Sequence, residues 1–317
     1  MDRIRRSMIL GGLAMALSPR LAAADTTIMG GRAFGSTWRL VAGSSSPARV
    51  TALITRRIAG IDEAMSPYRA QSQLSRFNRA AVGERVAIAP MMDQVVAAAL
   101  ETARATGGAF DPTTGPTVGR YGFGPITGQA GCMDAIDLEG GTIGKTAPGA
   151  TLDLCGIAKG FALDRLTDDL LAAGATDFML ELGGELRGAG RHPSGRAWQI
   201  AIEDPFAPDV VARHVLAPGV LALATSGHRA NGLFGDVTLS HVMDPHNARP
   251  ATGFAGSVSV LAPTGMEADA LATALLAMGR DGPAFARAHD IPALFVLGPP
   301  DAPADIMTGE FATYLLT

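Results

Sequence analysis

Apolar residues recur along this chain at helical spacing in some stretches and at strand spacing in others, and that alternation most limits the folds open to it. Val50, Leu53, Ile54, Ile58, Ile61 and Met65 fall at the three- and four-residue steps of an amphipathic helix ending at Ser66-Pro67. A second, alanine-rich helix is predicted over residues 90–106, opened by Pro90 and closed by Gly107-Gly108. A third begins near Gly156 and continues through Phe161, Leu166 and Leu170 to Gly174, and a fourth covers residues 266–278. Strands are predicted over residues 32–41, 176–182, 197–203, 257–262 and 293–297, with Trp198, Ile200 and Ile202 alternating in the third of these. The elements interleave without the even period of a parallel barrel, so the expected class is α+β. No long polar linker divides the chain, and one domain over residues 25–317 is expected.

Charge and the first two dozen residues narrow the setting. With 26 Lys+Arg against 30 Asp+Glu, a formal net charge of −4 and 47% hydrophobic residues, the chain is too apolar for disorder and too acidic for a general nucleic-acid binder. Arg3, Arg5 and Arg6 precede an apolar run over residues 8–17, and Ala22-Ala23-Ala24 follow, which is the pattern of a signal peptide cut before Asp25. That run is far short of the roughly 20 residues that span a bilayer, so an exported, periplasmic protein without stable membrane insertion is expected. Arg5-Arg6 also suits a twin-arginine route, which exports folded proteins. The two cysteines, Cys132 and Cys155, could pair in an oxidising compartment, and their spacing leaves this open.

Five segments could carry chemistry. Asp269 and Thr273 stand four apart, on one face of the fourth helix, and an acid and a hydroxyl one turn apart suit a hard cation such as Mg²⁺. The same spacing fits a capping Asp beside a buried Thr, so both readings stand. Asp153, Gly156, Lys159 and Gly160 lie at a strand-to-helix junction, where free N–H groups and a lysine form an anion site or a plain turn. Residues 107–116 embed Phe110 and Asp111 in a turn-rich loop that would let backbone approach a ligand. His241, two residues before Met243 and three before Asp244-Pro245, is either a general base or a structural histidine. Residues 181–185 read as a strand end and tight turn.

Taken in order, these pieces resemble the ApbE family of FAD:protein FMN transferases. The matching segments are Phe34-Gly35-Ser36-Thr37, Met65-Ser66-Pro67-Tyr68, Ser75-Arg76-Phe77-Asn78, Gly108-Ala109-Phe110-Asp111-Pro112, Leu152-Asp153-Leu154 with Gly156-Ile157-Ala158-Lys159-Gly160, Gly183-Gly184-Glu185, Thr225-Ser226-Gly227, His241 with Asp244-Pro245, and residues 268–274. The resemblance spans the chain after the leader and implies a single T-fold-like α+β domain with helices on antiparallel sheet. It implies an enzyme that splits FAD, releases AMP and attaches FMN through a phosphoester to a Thr or Ser of another protein, using Mg²⁺. By position the family's metal ligands fall on Asp269, Thr273 and the Gly156 carbonyl. Its flavin contacts fall on Phe34, Tyr68, Ala109, Phe110, Asp111, Asp153, Lys159 and Met243, with the isoalloxazine ring expected against Tyr68 and Phe110. His241 matches the proposed base, with Asp269 the second catalytic residue. The implied acceptor carries a D-x-x-[ST]-G-A-[ST] motif, as an electron-transfer subunit in the membrane or periplasm would. A pyrophosphatase giving FMN and AMP, and a flavin-binding assembly factor, are the alternatives. The chain departs from the family pattern at Phe34, Cys155, Glu181, Glu185, His228 and Asn247-Ala248.

Overall fold

A two-residue turn splits the strand predicted over residues 32–41. Phe34 (φ 49°) and Gly35 (φ 79°) both take left-handed backbone, as the tightest right-twisting hairpins require. Thr27–Ala33 (β1) therefore folds back antiparallel on Ser36–Ala42 (β2), with Ala33 opposite Ser36. The computed structural model describes residues 26–43, 46–207, 212–228, 240–251, 256–299 and 302–316; the leader read from the sequence lies outside them.

After the hairpin come α1 (Pro47–Met65), α2 (Gln73–Arg79), β3 (Val86–Ala87), α3 (Pro90–Ala105), α4 (Gly115–Arg120), β4 (Ile136–Glu139) and β5 (Thr142–Lys145). Next are α5 (Ala158–Ala172), β6 (Phe178–Leu182), β7 (Glu185–Ala189), β8 (Ile200–Glu203), β9 (Ala212–Leu216) and β10 (Ala222–Gly227). The described chain closes with β11 (Met243–Asp244), β12 (Arg249–Pro250), β13 (Ser257–Ala262), α6 (Gly265–Ala277), α7 (Gly282–Ala288), β14 (Ala293–Leu297) and β15 (Ala304–Thr308).

Eight strands form one sheet in the order β1-β2-β6-β7-β10-β13-β14-β15. Every neighbouring pair in it is antiparallel. Period-2 alternation then divides the core into two layers. Leu40, Leu180 and Leu182 face the helices with Phe161, Leu166 and Met92. Val41, Met179, Leu186 and Leu261 face the opposite layer with Trp198, Ile200, Leu216 and Phe311. β13 is buried along its whole length because both layers cover it. Helices on an antiparallel sheet confirm the α+β class.

The fourth predicted helix is α6, whose start is signalled by Thr264 and Glu267. The Thr264 side chain accepts from Glu267 N at 3.2 Å, the first half of a capping box. Among the described residues no helix is long and apolar enough to cross a membrane. Cys132 and Cys155 are both free thiols, so the pairing left open by sequence is not made.

Candidate active site

The first turns of α5 and α6 touch backbone to backbone. A Cβ on Gly160 would lie 2.0 Å from the Gly265 carbonyl oxygen and 2.8 Å from Asp269 Cβ, so only glycine permits this approach. The approach lets each helix serve the other's orphan N–H groups. Gly160 N–H donates to Asp269 Oδ2 at 3.0 Å. In return Asp164 accepts from Gly265 N at 2.8 Å and Met266 N at 3.0 Å, and pairs with Arg187 Nη1 at 2.5 Å. Asp269 is 3% exposed, and its other oxygen, Oδ1, lies 3.6 Å from Lys159 Nζ.

Thr273, one turn beyond Asp269, points its hydroxyl at the Gly156 carbonyl at 3.5 Å and stands 3.5 Å from Ser226 Oγ. Gly156 is fixed in place by its neighbours: a Cβ there would meet Thr273 Oγ1 at 3.2 Å and Phe110 Cε2 at 3.3 Å. The junction thus gathers a carboxylate, a hydroxyl and a backbone carbonyl, the three predicted metal ligands. This all-oxygen set suits a hard cation of the Mg²⁺ type rather than zinc. Among the described residues no cluster of three His, Cys, Asp or Glu competes with it.

Lys159 also forms a close ion pair with Glu185, which is 1% exposed at the first position of β7. Burial pushes the Glu185 carboxyl well above the usual carboxylate range, with Lys159 opposing and Asp269 adding to the rise. Burial works to lower Lys159, but Asp269 and Glu185 together raise it above an ordinary lysine, so the ammonium is firmly charged. His241 meets Phe123 edge-on, with ring centroids 6.4 Å apart. Its Nδ1 is buried without a partner among the described residues. Burial lowers its pKa to about 4, with His228 and Lys159 adding to the effect, so the ring is neutral at pH 7.

The remaining predicted contacts sit in turns around this junction. Asp111 Oδ1 accepts from Thr113 N at 2.7 Å and Thr113 Oγ1 at 2.6 Å; Asp153 Oδ1 accepts from Cys155 N at 3.0 Å. Both are Asx turns, and Asp153 N–H donates to Pro112 O at 2.7 Å, tying the two loops together. Asp244 does the same for His246 N at 3.0 Å. Met243 is buried in β11, and Ala109 is buried in the loop after α3. Phe34 is half-buried against the helix-side core. Of the two rings expected against a flavin, Tyr68 is open at 69% exposure, its hydroxyl donating to Phe123 O at 3.1 Å. Phe110 differs: it is 3% exposed beneath Gly156, because Gly107 (φ 60°) and Gly108 (φ 85°) turn the chain back into the core.

The model of the ApbE family matches residues 34–295. The chain belongs to the ApbE family. A FAD:protein FMN transferase of Vibrio cholerae serotype O1 is 36% identical over 282 residues, 83% of each chain. One of Haemophilus influenzae is 31% identical over 306 residues, covering 87% of this chain and 88% of its own. The solved flavin transferase ApbE from Vibrio cholerae superposes with a TM-score of 0.83 at 32% identity, over 92% of this chain and 100% of that one. The apo flavinyl transferase ApbE of Pseudomonas stutzeri gives 0.80 at 27% identity, over 92% and 96%.

Within this ApbE fold, two ion pairs that join β7 to α5, Lys159–Glu185 and Arg187–Asp164, escaped sequence reasoning. Alternation along β7 turns Leu186 to one core layer and Glu185 and Arg187 to the helices, where they pair with Lys159 and Asp164 of α5. Two charges on the inward face of a strand, matched by opposite charges five apart on a helix, were the available signal.

Proposed function

We propose that this chain is a FAD:protein FMN transferase that moves FMN from FAD onto a Thr or Ser hydroxyl of an acceptor protein and releases AMP. The supporting observation is the convergence, in an ApbE-family chain, of an oxygen-donor set and a charged lysine at one helix junction, with a neutral histidine near enough to feel the charge of that lysine. The acceptor oxygen attacks the FMN-side phosphorus, the bond from that phosphorus to the bridging oxygen breaks, and AMP departs with that oxygen. Neutral His241 takes the hydroxyl proton, a role its depressed pKa keeps open throughout the neutral range. Lys159 places a fixed positive charge beside the pyrophosphate, since phosphoryl transfer depends mainly on positioning and charge neutralisation. Asp269, Thr273 and the Gly156 carbonyl fit Mg²⁺, which when bound supplies further charge to the pyrophosphate oxygens. Tyr68 offers an open ring to the isoalloxazine. Phe34, Asp111, Asp153, Met243 and the loop through Ala109 and Phe110 shape the cleft, Phe110 from below.

Residues 1–24 act as an export leader in this reading, placing the enzyme in the periplasm. Its acceptor is an electron-transfer subunit bearing the D-x-x-[ST]-G-A-[ST] motif. The test is incubation of the chain lacking residues 1–24 with FAD and Mg²⁺, with and without such a protein, reading AMP, free FMN and protein-bound flavin together. Bound flavin that needs both acceptor and Mg²⁺ supports the transferase. Equal AMP and FMN without acceptor identifies a pyrophosphatase, and intact FAD held through the incubation identifies a flavin binder.

A further inference from the structure

Lys159 stands between two carboxylates and is shared unequally. Its ammonium contacts Glu185 directly, while Asp269 Oδ1 is 3.6 Å away, beyond a good hydrogen bond. Asp269 Oδ2 is already held by Gly160 N–H. Oδ1 is therefore the oxygen left to a cation, and Lys159 is the group placed to take it instead. Glu185 is 1% exposed, and its second oxygen, Oε2, is buried without a hydrogen-bond partner among the described residues. Burying such a carboxylate is costly unless its one partner stays in place. That cost anchors the ammonium on the Glu185 side. Both side chains lie close under the Gly183-Gly184 turn, where a Cβ on Gly183 would meet Oε2 at 3.6 Å and Lys159 Cδ at 3.5 Å.

We infer that Glu185 is a positioning residue: it holds the Lys159 ammonium away from Asp269 Oδ1 and so keeps that oxygen free for the divalent cation. The inference rests on the reading of Asp269 as a cation ligand. With Glu185 neutral, Asp269 becomes the nearest full negative charge to Lys159, and ammonium and cation compete for one oxygen. Glu185 thus acts on the cation through a lysine and not by contact. This separates it from a carboxylate that only contributes field: if the lysine is removed together with the charge of Glu185, the competitor disappears and cation affinity returns.

The experiment measures Mn²⁺ binding to the full chain by the electron paramagnetic resonance signal of free Mn²⁺, without FAD, with thermal unfolding recorded in metal-free buffer. Wild-type chain should bind Mn²⁺, and Asp269→Asn should abolish binding; if Asp269→Asn binds like wild type, the ligand reading fails and the inference fails with it. Glu185→Gln should weaken binding roughly 10- to 100-fold, the range for partners that orient metal ligands. The double variant Lys159→Met/Glu185→Gln should bind within about threefold of wild type, since coupled residues show strong non-additivity. Unchanged Mn²⁺ affinity in Glu185→Gln, or a double variant as weak as the single one, would overturn the proposal. If Glu185→Gln fails to fold, Lys159→Met carries the test: it should bind Mn²⁺ at least as tightly as wild type, and about tenfold weaker binding refutes the assignment.

Discussion

The helix junction and the ring of turns around it both use aspartates to satisfy backbone N–H groups, but over very different distances along the chain. At the junction, Asp269 serves Gly160 across 109 residues, and Asp164 serves Gly265 across 101. In the turns, Asp111, Asp153 and Asp244 each serve a residue two positions on. The junction aspartates are buried and hold two helices in register, whereas the turn aspartates shape one loop apiece. A carboxylate that closes a long loop stands in for the packing of whole elements, so damage there should spread through the fold. A carboxylate in an Asx turn has only its own loop to lose.

The harshest way to break this contrast is Gly160→Ala. Its Cβ would sit 2.0 Å from a backbone carbonyl that has no rotamer to escape into. The helices must separate, with an expected loss of about 3 kcal/mol by urea denaturation together with loss of transfer activity. A loss below about 1 kcal/mol would show that the helices slide freely and that the junction is no more rigid than the turns. Asp164→Ala comes next. It strips the acceptor from Gly265 N and Met266 N and leaves Arg187 without its carboxylate, for an expected loss of about 2 kcal/mol.

The same division governs what could be read from sequence. β13 and β14 have the predicted bounds, and α6 is displaced by one residue, because full-length apolar runs and the Thr264–Glu267 cap are local signals. β3, β11 and β12, at two residues each, are too short to show any period. The β1–β2 hairpin was hidden because Phe34, at φ 49°, stands where Asn or Gly would announce the turn. Asp269, Thr273, Gly156 and Lys159 were legible as two separate motifs, and the fold brings them together. The partners of Glu185 and Asp164 were not, since each pairs with a residue on another element. The burial of Phe110 was not legible, because it depends on the positive φ angles of Gly107 and Gly108, which turn the loop inward.

His241 lies between the two regions, and pH separates its effect from theirs. Burial holds the folded-state pKa near 4 against 6.5 for the free side chain. As pH falls below 6.5 the unfolded chain takes up a proton that the folded chain refuses. The contribution of His241 to stability is therefore complete above that pH and declines toward pH 4, by at most about 1.4 kcal/mol per pH unit. His241→Gln should flatten this slope in denaturation measured between pH 7 and pH 4.5, and an unchanged slope would mean the ring is hydrated. In the wild-type chain the neutral ring should also survive at pH 5.5, where an ordinary imidazole is mostly protonated.

Tyr68 provides the smallest effect and the finest test of the turn region. Its hydroxyl donates to Phe123 O at 3.1 Å on an exposed surface, where water replaces the bond at little cost. Tyr68→Phe should change stability by less than about 0.5 kcal/mol. It keeps the ring, so FAD affinity measured by fluorescence quenching should hold. Tyr68→Ala removes the ring and should weaken FAD binding about three- to tenfold while leaving the folded state as stable as Tyr68→Phe leaves it. A stability loss in Tyr68→Phe as large as that of Asp164→Ala would mean that the Tyr68–Phe123 bond ties elements together as the junction does. The turns would then be part of the frame, and the division between a rigid charge-bearing junction and independent loops would fail at the residue best exposed to reveal it.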